Sequence, residues 1–239
     1  MPNASSWHDR WSQTRSTLLN LLFPPRCVYC RGIGSLLCTS CFQQIVPLTG
    51  NLCVRCGRPV ARKQTVCTPC RDFPREIDGL RVVAPFDGVL QKAIHHFKYL
   101  NVRGLAKPLG DLLLAQMNDP APPVDVIVPV PLHRQRERER GYNQAALLAR
   151  RLAQRTGLPL AEHALRRTRQ TPPQVGLSAP ERWANVAGAF ACGSPDLSTR
   201  HPLLVDDVCT TGATLSACAR ALRAGGAETV WAVTLARPI

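Results

Sequence analysis

The chain has 239 residues, 45% of them apolar and 5% aromatic, with 30 Lys and Arg against 16 Asp and Glu for a net charge of +14. That length excludes a repeat array and fits one core plus a smaller module or two small domains, and the apolar fraction excludes wholesale disorder. Apolar runs fall short of the roughly 20 residues of a membrane span, and Met1 to Leu22 lacks a compact apolar region or cleavage site, so we expect a cytoplasmic protein whose charge seeks phosphorylated small molecules or nucleic acid.

In residues 1–23, Trp7, Trp11, Leu18, Leu19 and Leu22 fall near helical spacing, with Ser5 or Ser6 available as a cap. The expectation is an N-terminal helix, either packed on the cysteine-rich region or docking a partner. The chain has eleven cysteines, eight of them as four C-x-x-C pairs: Cys27/Cys30, Cys38/Cys41, Cys53/Cys56 and Cys67/Cys70. In a reducing compartment this spacing points to metal, because two C-x-x-C turns supply the four thiolates of a closed tetrahedral shell. Two structural zinc ions are predicted, with sequential pairing of the turns favoured over an interleaved cross-brace because it closes shorter loops. Residues 24–75 are too poor in large apolar side chains to fold by burial alone, and zinc would supply on the order of 10 kcal/mol per site. Cys192, Cys209 and Cys218 stand apart and read as small buried residues.

From Leu80 onward the pattern is an alternation of strands and helices. We read a strand at 80–85, helices at 89–99 and 103–116, a strand at 125–128 running into Pro129-Val130-Pro131, and a helix at 141–156. A long loop is expected at 166–182, then strands at 187–191 and 203–205, a helix at 213–224 and a strand at 229–235. Such alternation implies an α/β fold, a mostly parallel sheet flanked by helices, whose ligands gather at the carboxyl ends of the strands. His95 and His96 read as structural, while the reach of Lys98 is left open.

One segment carries chemistry: an apolar strand ends in Asp206-Asp207, followed after two residues by Thr210-Thr211-Gly212-Ala213-Thr214 opening a helix. Free backbone N–H groups and threonine hydroxyls there form a cup for a phosphate monoester, and Gly212 allows close approach. The two carboxylates would repel phosphate but accept hydrogen bonds from a diol, so the combination suggests a sugar phosphate such as ribose 5-phosphate.

This segment resembles the phosphoribosyl pyrophosphate motif of type I phosphoribosyltransferases. The whole chain is similar to the ComF family: a double zinc ribbon followed by residues 127–132, Arg140-Gly141-Tyr142-Asn143-Gln144, Thr171-Pro172-Pro173-Gln174 and the acid pair. The resemblance implies an N-terminal zinc-ribbon module at 24–75 and a type I phosphoribosyltransferase fold at 80–239. It carries Asp206 and Asp207 onto the ribose hydroxyls as catalytic residues, Thr210 to Thr214 onto the 5-phosphate, and Val130, Pro131 and Leu132 onto the pyrophosphate. It also makes 166–182, with Arg169, Gln174 and Arg182, a loop closing over the substrate, and it implies Mg²⁺ bridging pyrophosphate and ribose oxygens. Members are associated with competence for DNA uptake, and some relatives with gluconate use.

Charge is concentrated twice. Residues 134–182 hold eleven Arg and four Glu, and residues 1–79 ten basic and four acidic residues. Loop arginines suit pyrophosphate oxygens, and the run Arg134, Arg136, Arg138, Arg140 is either a solvated segment or part of a track for single-stranded DNA. Three functions stay open: a Mg²⁺-dependent phosphoribosyltransferase of unknown acceptor, a non-catalytic nucleic-acid-binding protein using the pocket as a ligand sensor, and an adaptor for a helicase or other competence protein.

Overall fold

The computed structural model describes residues 24–72, 76–118, 121–172, 176–193, 197 and 200–239. The N-terminal helix expected at 1–23 and the predicted contact Gln174 lie outside them. At its centre is a four-stranded parallel sheet of β1 (Gly79–Pro85), β2 (Val126–Pro129), β5 (Pro202–Val208) and β6 (Trp231–Arg237), in the order β1-β6-β5-β2. The remaining strands, β3 (Leu165–Arg167) and β4 (Phe190–Cys192), form a small antiparallel pair.

The alternation of side chains along a strand sorts this sheet into two cores. Leu203, Val205, Val233 and Leu235 join Phe97, Leu109 and Leu148 on one side, whereas Leu204 and Ala232 join Leu215, Cys218 and Leu222 on the other. Helices α3 (Gly88–Tyr99), α4 (Ala106–Leu114) and α6 (Gln144–Thr156) cover the first face; α8 (Ala213–Ala224) and the β3–β4 pair cover the second. Cys218 is fully buried and Cys209 nearly so, as expected for small core residues, whereas Cys192 is only half-buried beside the same core.

The cysteine-rich region is built twice on one plan. An antiparallel bridge, Arg26 to Ile33 and then Leu52 to Pro59, holds a turn carrying the first C-x-x-C. The second C-x-x-C opens a one-turn helix, α1 (Thr39–Phe42) or α2 (Thr68–Asp72). Val28, Leu37 and Ile45 enter the same core as Phe97. The region also closes the β1 edge: Leu48 N–H donates to Val83 (2.8 Å) and Leu80 N–H to Val54 (2.9 Å), so the backbone there is paired and not exposed.

The loop expected at 166–182 is corrected at both ends. Leu165–Arg167 is strand β3, and Ala179–Val186 is helix α7, opened by a capping box between Ser178 and Glu181. The run Arg134–Arg140 is helix α5, ended by Gly141 at φ 77°. The strand expected at 187–191 lies at Phe190–Cys192, and β6 runs on to Arg237. No described helix is long and apolar enough to cross a membrane.

Candidate functional site

Each cysteine quartet converges as predicted by sequential pairing. The sulfurs of Cys27, Cys30, Cys38 and Cys41 lie within 4.8 Å of one another, and so do those of Cys53, Cys56, Cys67 and Cys70. Sulfurs of Cys30 and Cys38, like those of Cys56 and Cys67, are 3.6 Å apart. That is far beyond a disulfide bond and close to the edge, about 3.8 Å, of a ZnS₄ tetrahedron. The thiols also compete for ionisation. Cys38 is lowered to about 6, chiefly by the Ser40 hydroxyl, while burial and neighbouring cysteines push Cys41 up to about 12. A hydrogen bond from Cys70 and the Arg237 charge, working against burial, lower Cys56 to about 4. Four crowded thiolates need a divalent cation to coexist, and two zinc-binding Cys₄ sites fit this geometry.

The second site is a cavity of about 850 Å³ at the carboxyl ends of β2 and β5. Asp206 and Asp207 reach it from β5, and Thr210 and Thr214 from the turn beyond. Gly212 sits at φ 81° and starts α8, with Ser216 N–H bonded to its carbonyl at 2.9 Å. That left-handed conformation costs an L side chain about 1–2 kcal/mol and is free for glycine. Thr211 does not line the cavity, its hydroxyl oxygen instead accepting from Ala213 N–H at 3.3 Å, and Ala213 is buried. Val130, Pro131 and Leu132 line the neighbouring wall; Val130 N–H donates to Val205 at 3.0 Å and Asn143 Nδ2 to Val130 O at 3.0 Å, which fixes that loop.

The acid pair is asymmetric. Asp207 N–H donates to the Asp206 Oδ1 at 2.8 Å, and burial, then the Asp207 charge, push Asp206 up to about 7. Asp207 is only 6% exposed and holds Lys98 Nζ at 2.8 Å. Lys98 comes from α3, and although desolvation opposes its charge, Asp207 holds its pKa above the ordinary lysine value. The triad thus carries little net negative charge at neutral pH, which lets a phosphate approach an acid pair.

Arg136, Arg140, Arg167 and Arg182 also line the cavity. Burial and the Arg136 charge lower the Arg167 pKa, a sign of cations crowded where an anion would relieve them. Arg169, predicted as a substrate contact, instead donates to the carbonyls of Asn185 (3.0 Å) and Ala187 (2.9 Å), bracing the end of α7, and does not line the cavity. Gln144 belongs to the 140–144 motif, yet its sequence context assigns it no role. Only 2% exposed, it faces the cavity and accepts from Arg140 at 2.7 Å, while its Nε2 has no hydrogen-bond partner. Lys98, left open by the sequence, and Gln144, to which it gives no role, join the site here, while Arg136 and Arg140, read there only as a solvated segment or a track for single-stranded DNA, line the same cavity.

At the open side of the cavity stand Tyr29, from the first cysteine unit, and His95 and Tyr99 from α3. The His95 and Tyr99 rings are 5.0 Å apart, and the Arg140 guanidinium lies 5.3 Å from the Tyr99 ring centre. Tyr99 is 58% exposed, so its ring is available to a further planar group.

Residues 18–71 match the family described as double zinc ribbon domain, and residues 138–239 the phosphoribosyl transferase domain. Competence protein F of Haemophilus influenzae is 32% identical over 223 residues, spanning 89% of this chain and 96% of that one. DNA utilization protein YhgH of Escherichia coli K12 is 32% identical over 228 residues, 92% of this chain and 100% of the relative. Competence protein ComFC of Bacillus subtilis is 30% identical over 209 residues, 84% of each chain. Among solved structures, the glutamine phosphoribosylpyrophosphate amidotransferase of B. subtilis, complexed with ADP and GMP, aligns at TM-score 0.39 with 24% identity, over 56% of this chain and 26% of that one.

Proposed function

The chain belongs to the ComF family, and on that premise we propose that it binds phosphoribosyl pyrophosphate at the carboxyl end of its parallel sheet and acts in the uptake and use of DNA. The observation carrying this reading is a single cavity in which an acid pair, a threonine turn at a helix N-terminus and four arginines meet. A sugar phosphate answers all three at once. Its hydroxyls donate to Asp206 and Asp207, its 5-phosphate takes the N–H groups of the 210–214 turn, and its pyrophosphate lies against residues 130–132 and the arginine rim.

In transfer chemistry the bond between the anomeric carbon and pyrophosphate breaks, the electron pair leaves with pyrophosphate, and an acceptor forms the new bond. The arginines stabilise the departing charge, and the acid pair steadies the positive ribosyl carbon through its hydroxyls. Mg²⁺ supplies neutralisation of the pyrophosphate when bound. Asp206, which accepts from a backbone N–H, and Asp207, paired with Lys98, are the carboxylates beside which that cation would be held. We place the protein in the cytoplasm, where reduced thiols can hold zinc.

The aromatic flank favours a second reading, in which a base of single-stranded DNA stacks at Tyr99 while Arg140 and Arg136 meet its phosphates. Titration with a labelled single-stranded oligonucleotide across a salt series, with and without phosphoribosyl pyrophosphate and Mg²⁺, tests the pair of readings. Affinity that falls steeply with salt and changes with the small ligand supports both together. Absence of binding at low salt removes the DNA reading, and Thr210→Val/Thr214→Val with undiminished small-ligand affinity removes the pocket reading.

A further inference from the structure

Arg237 is 1% exposed, one of the largest fully buried side chains, and among the described residues no carboxylate pairs with it. A buried guanidinium without a counter-charge is costly, so the partners it does have explain its place. Nη1 donates to the Cys56 carbonyl, Nη2 reaches the Thr210 carbonyl at 3.5 Å, and Nε reaches Pro238 O at 3.3 Å. Cys56 belongs to the second cysteine quartet, and Thr210 opens the phosphate turn. The guanidinium fork therefore joins two sites far apart in the chain, one at Cys56 and one at Thr210. One Zn²⁺ with four thiolates has net negative charge, which is the counter-ion that this arginine otherwise lacks. Its strand supports the same turn from the backbone side, since Cys209 N–H donates to Ala236 O at 2.9 Å.

We propose that Arg237 is a positioning residue through which the second zinc site holds the phosphate turn, so that zinc retention there and phosphate binding at 210–214 strengthen one another. Among the described residues the first quartet has no comparable link: its buried residues pack on the core around Phe97, and of that unit Tyr29 alone reaches the cavity. Coupling is thus specific to one zinc ion. By reciprocity, a ligand that orders the turn tightens binding of that ion by the factor by which the ion improves the ligand's affinity. The ligand half of this inference rests on the proposed function; the arginine–zinc–turn half does not.

The test uses the full chain as Arg237→Met and Arg237→Lys. Native mass spectrometry counts the zinc ions retained under a chelator, hydrogen exchange at 27–41 and 53–70 tells which site has emptied, and exchange at 209–214 reads the turn without any ligand. Ribose 5-phosphate is the probe for calorimetry. Arg237→Met is expected to lose the second zinc about tenfold faster, exchange faster at 209–214 and bind the probe about tenfold more weakly, with the first zinc unaffected. Arg237→Lys, which keeps the charge without the fork, should restore zinc retention but not turn protection. Wild-type zinc retention and turn protection in Arg237→Met overturn the proposal. If wild type binds no ribose 5-phosphate, the proposed function fails, and zinc retention and exchange still decide the role of Arg237. Should Arg237→Met fail to fold, Cys67→Ser is the converse: faster exchange at 209–214 supports the link, and unchanged exchange there contradicts it.

Discussion

Lys98→Met perturbs the centre of the site most cleanly, because it removes one charge and keeps most of the volume. The ion pair with Asp207 is 2.8 Å long, between side chains 21% and 9% exposed. Breaking a fully buried pair by removing one partner costs about 3–5 kcal/mol; the partial exposure of Lys98 brings the expectation to about 2–3 kcal/mol. For a chain of this length that is about 5–10 °C in Tm. A lysine whose folded pKa is raised gives stability that persists below its unfolded pKa and disappears only in the alkaline range, so between about pH 5.5 and 8.5 any trend comes from the carboxylates. Without Lys98 the acid pair repels itself most when both members are ionised, so the loss should be larger at about pH 8.5 than at about 5.5. Thermal melts of Lys98→Met, Asp207→Asn and the double variant at both pH values measure it as a double-mutant cycle. A coupling of about 2 kcal/mol at the higher pH is expected; a coupling under about 0.5 kcal/mol, or the same destabilisation at both pH values, refutes the reasoning.

Asp206→Asn tests the raised pKa directly. A carboxyl that titrates at about 7 when folded and near 3.9 when unfolded makes the wild type lose stability as pH rises from about 4 to 7, so the asparagine variant should gain relative Tm across that window. A constant offset between the two melting profiles would contradict it. Gly212→Ala forces a side chain into φ 81° and should cost about 1–2 kcal/mol in denaturant melts while weakening ribose 5-phosphate binding by more than that factor, because the turn itself moves. Native mass spectrometry should find two zinc ions per chain, and Cys38→Ser should lose one and lower Tm, since Val28, Leu37 and Ile45 share the core with Phe97; a single ion in wild type would break the assignment.

The parts legible from sequence are those whose signal is local. C-x-x-C spacing placed the eight cysteines of two zinc-binding sites, and the apolar strand running into Asp206-Asp207 and a threonine turn placed one wall of the cavity, because strand, turn and helix succeed one another without a gap. Residues 166–182 failed for the same reason in reverse. Leu165–Arg167 is a three-residue strand carrying two arginines, held by pairing with Phe190–Cys192 and not by its own pattern. Helix Ala179–Val186 did announce itself through Ser178 and Glu181, a capping box that the surrounding prolines obscured. Arg134–Arg140 has no apolar face, so periodicity cannot find it; the Gly141 stop was its one local mark. Lys98, Gln144 and Arg237 depend on tertiary approach: the first reaches Asp207 of β5 from helix α3, and the last touches both Cys56 and Thr210. No spacing along the chain encodes such meetings.

The proposed ribose-phosphate site requires the acid pair and the threonine turn to act together. Isothermal titration of the wild-type chain and of Asp206→Ala/Asp207→Ala with phosphoribosyl pyrophosphate and Mg²⁺ tests this most directly, with the zinc content of both proteins checked beforehand. Saturable binding by wild type that the double variant loses is the expected result; no binding by wild type, or the same affinity in both, would contradict it.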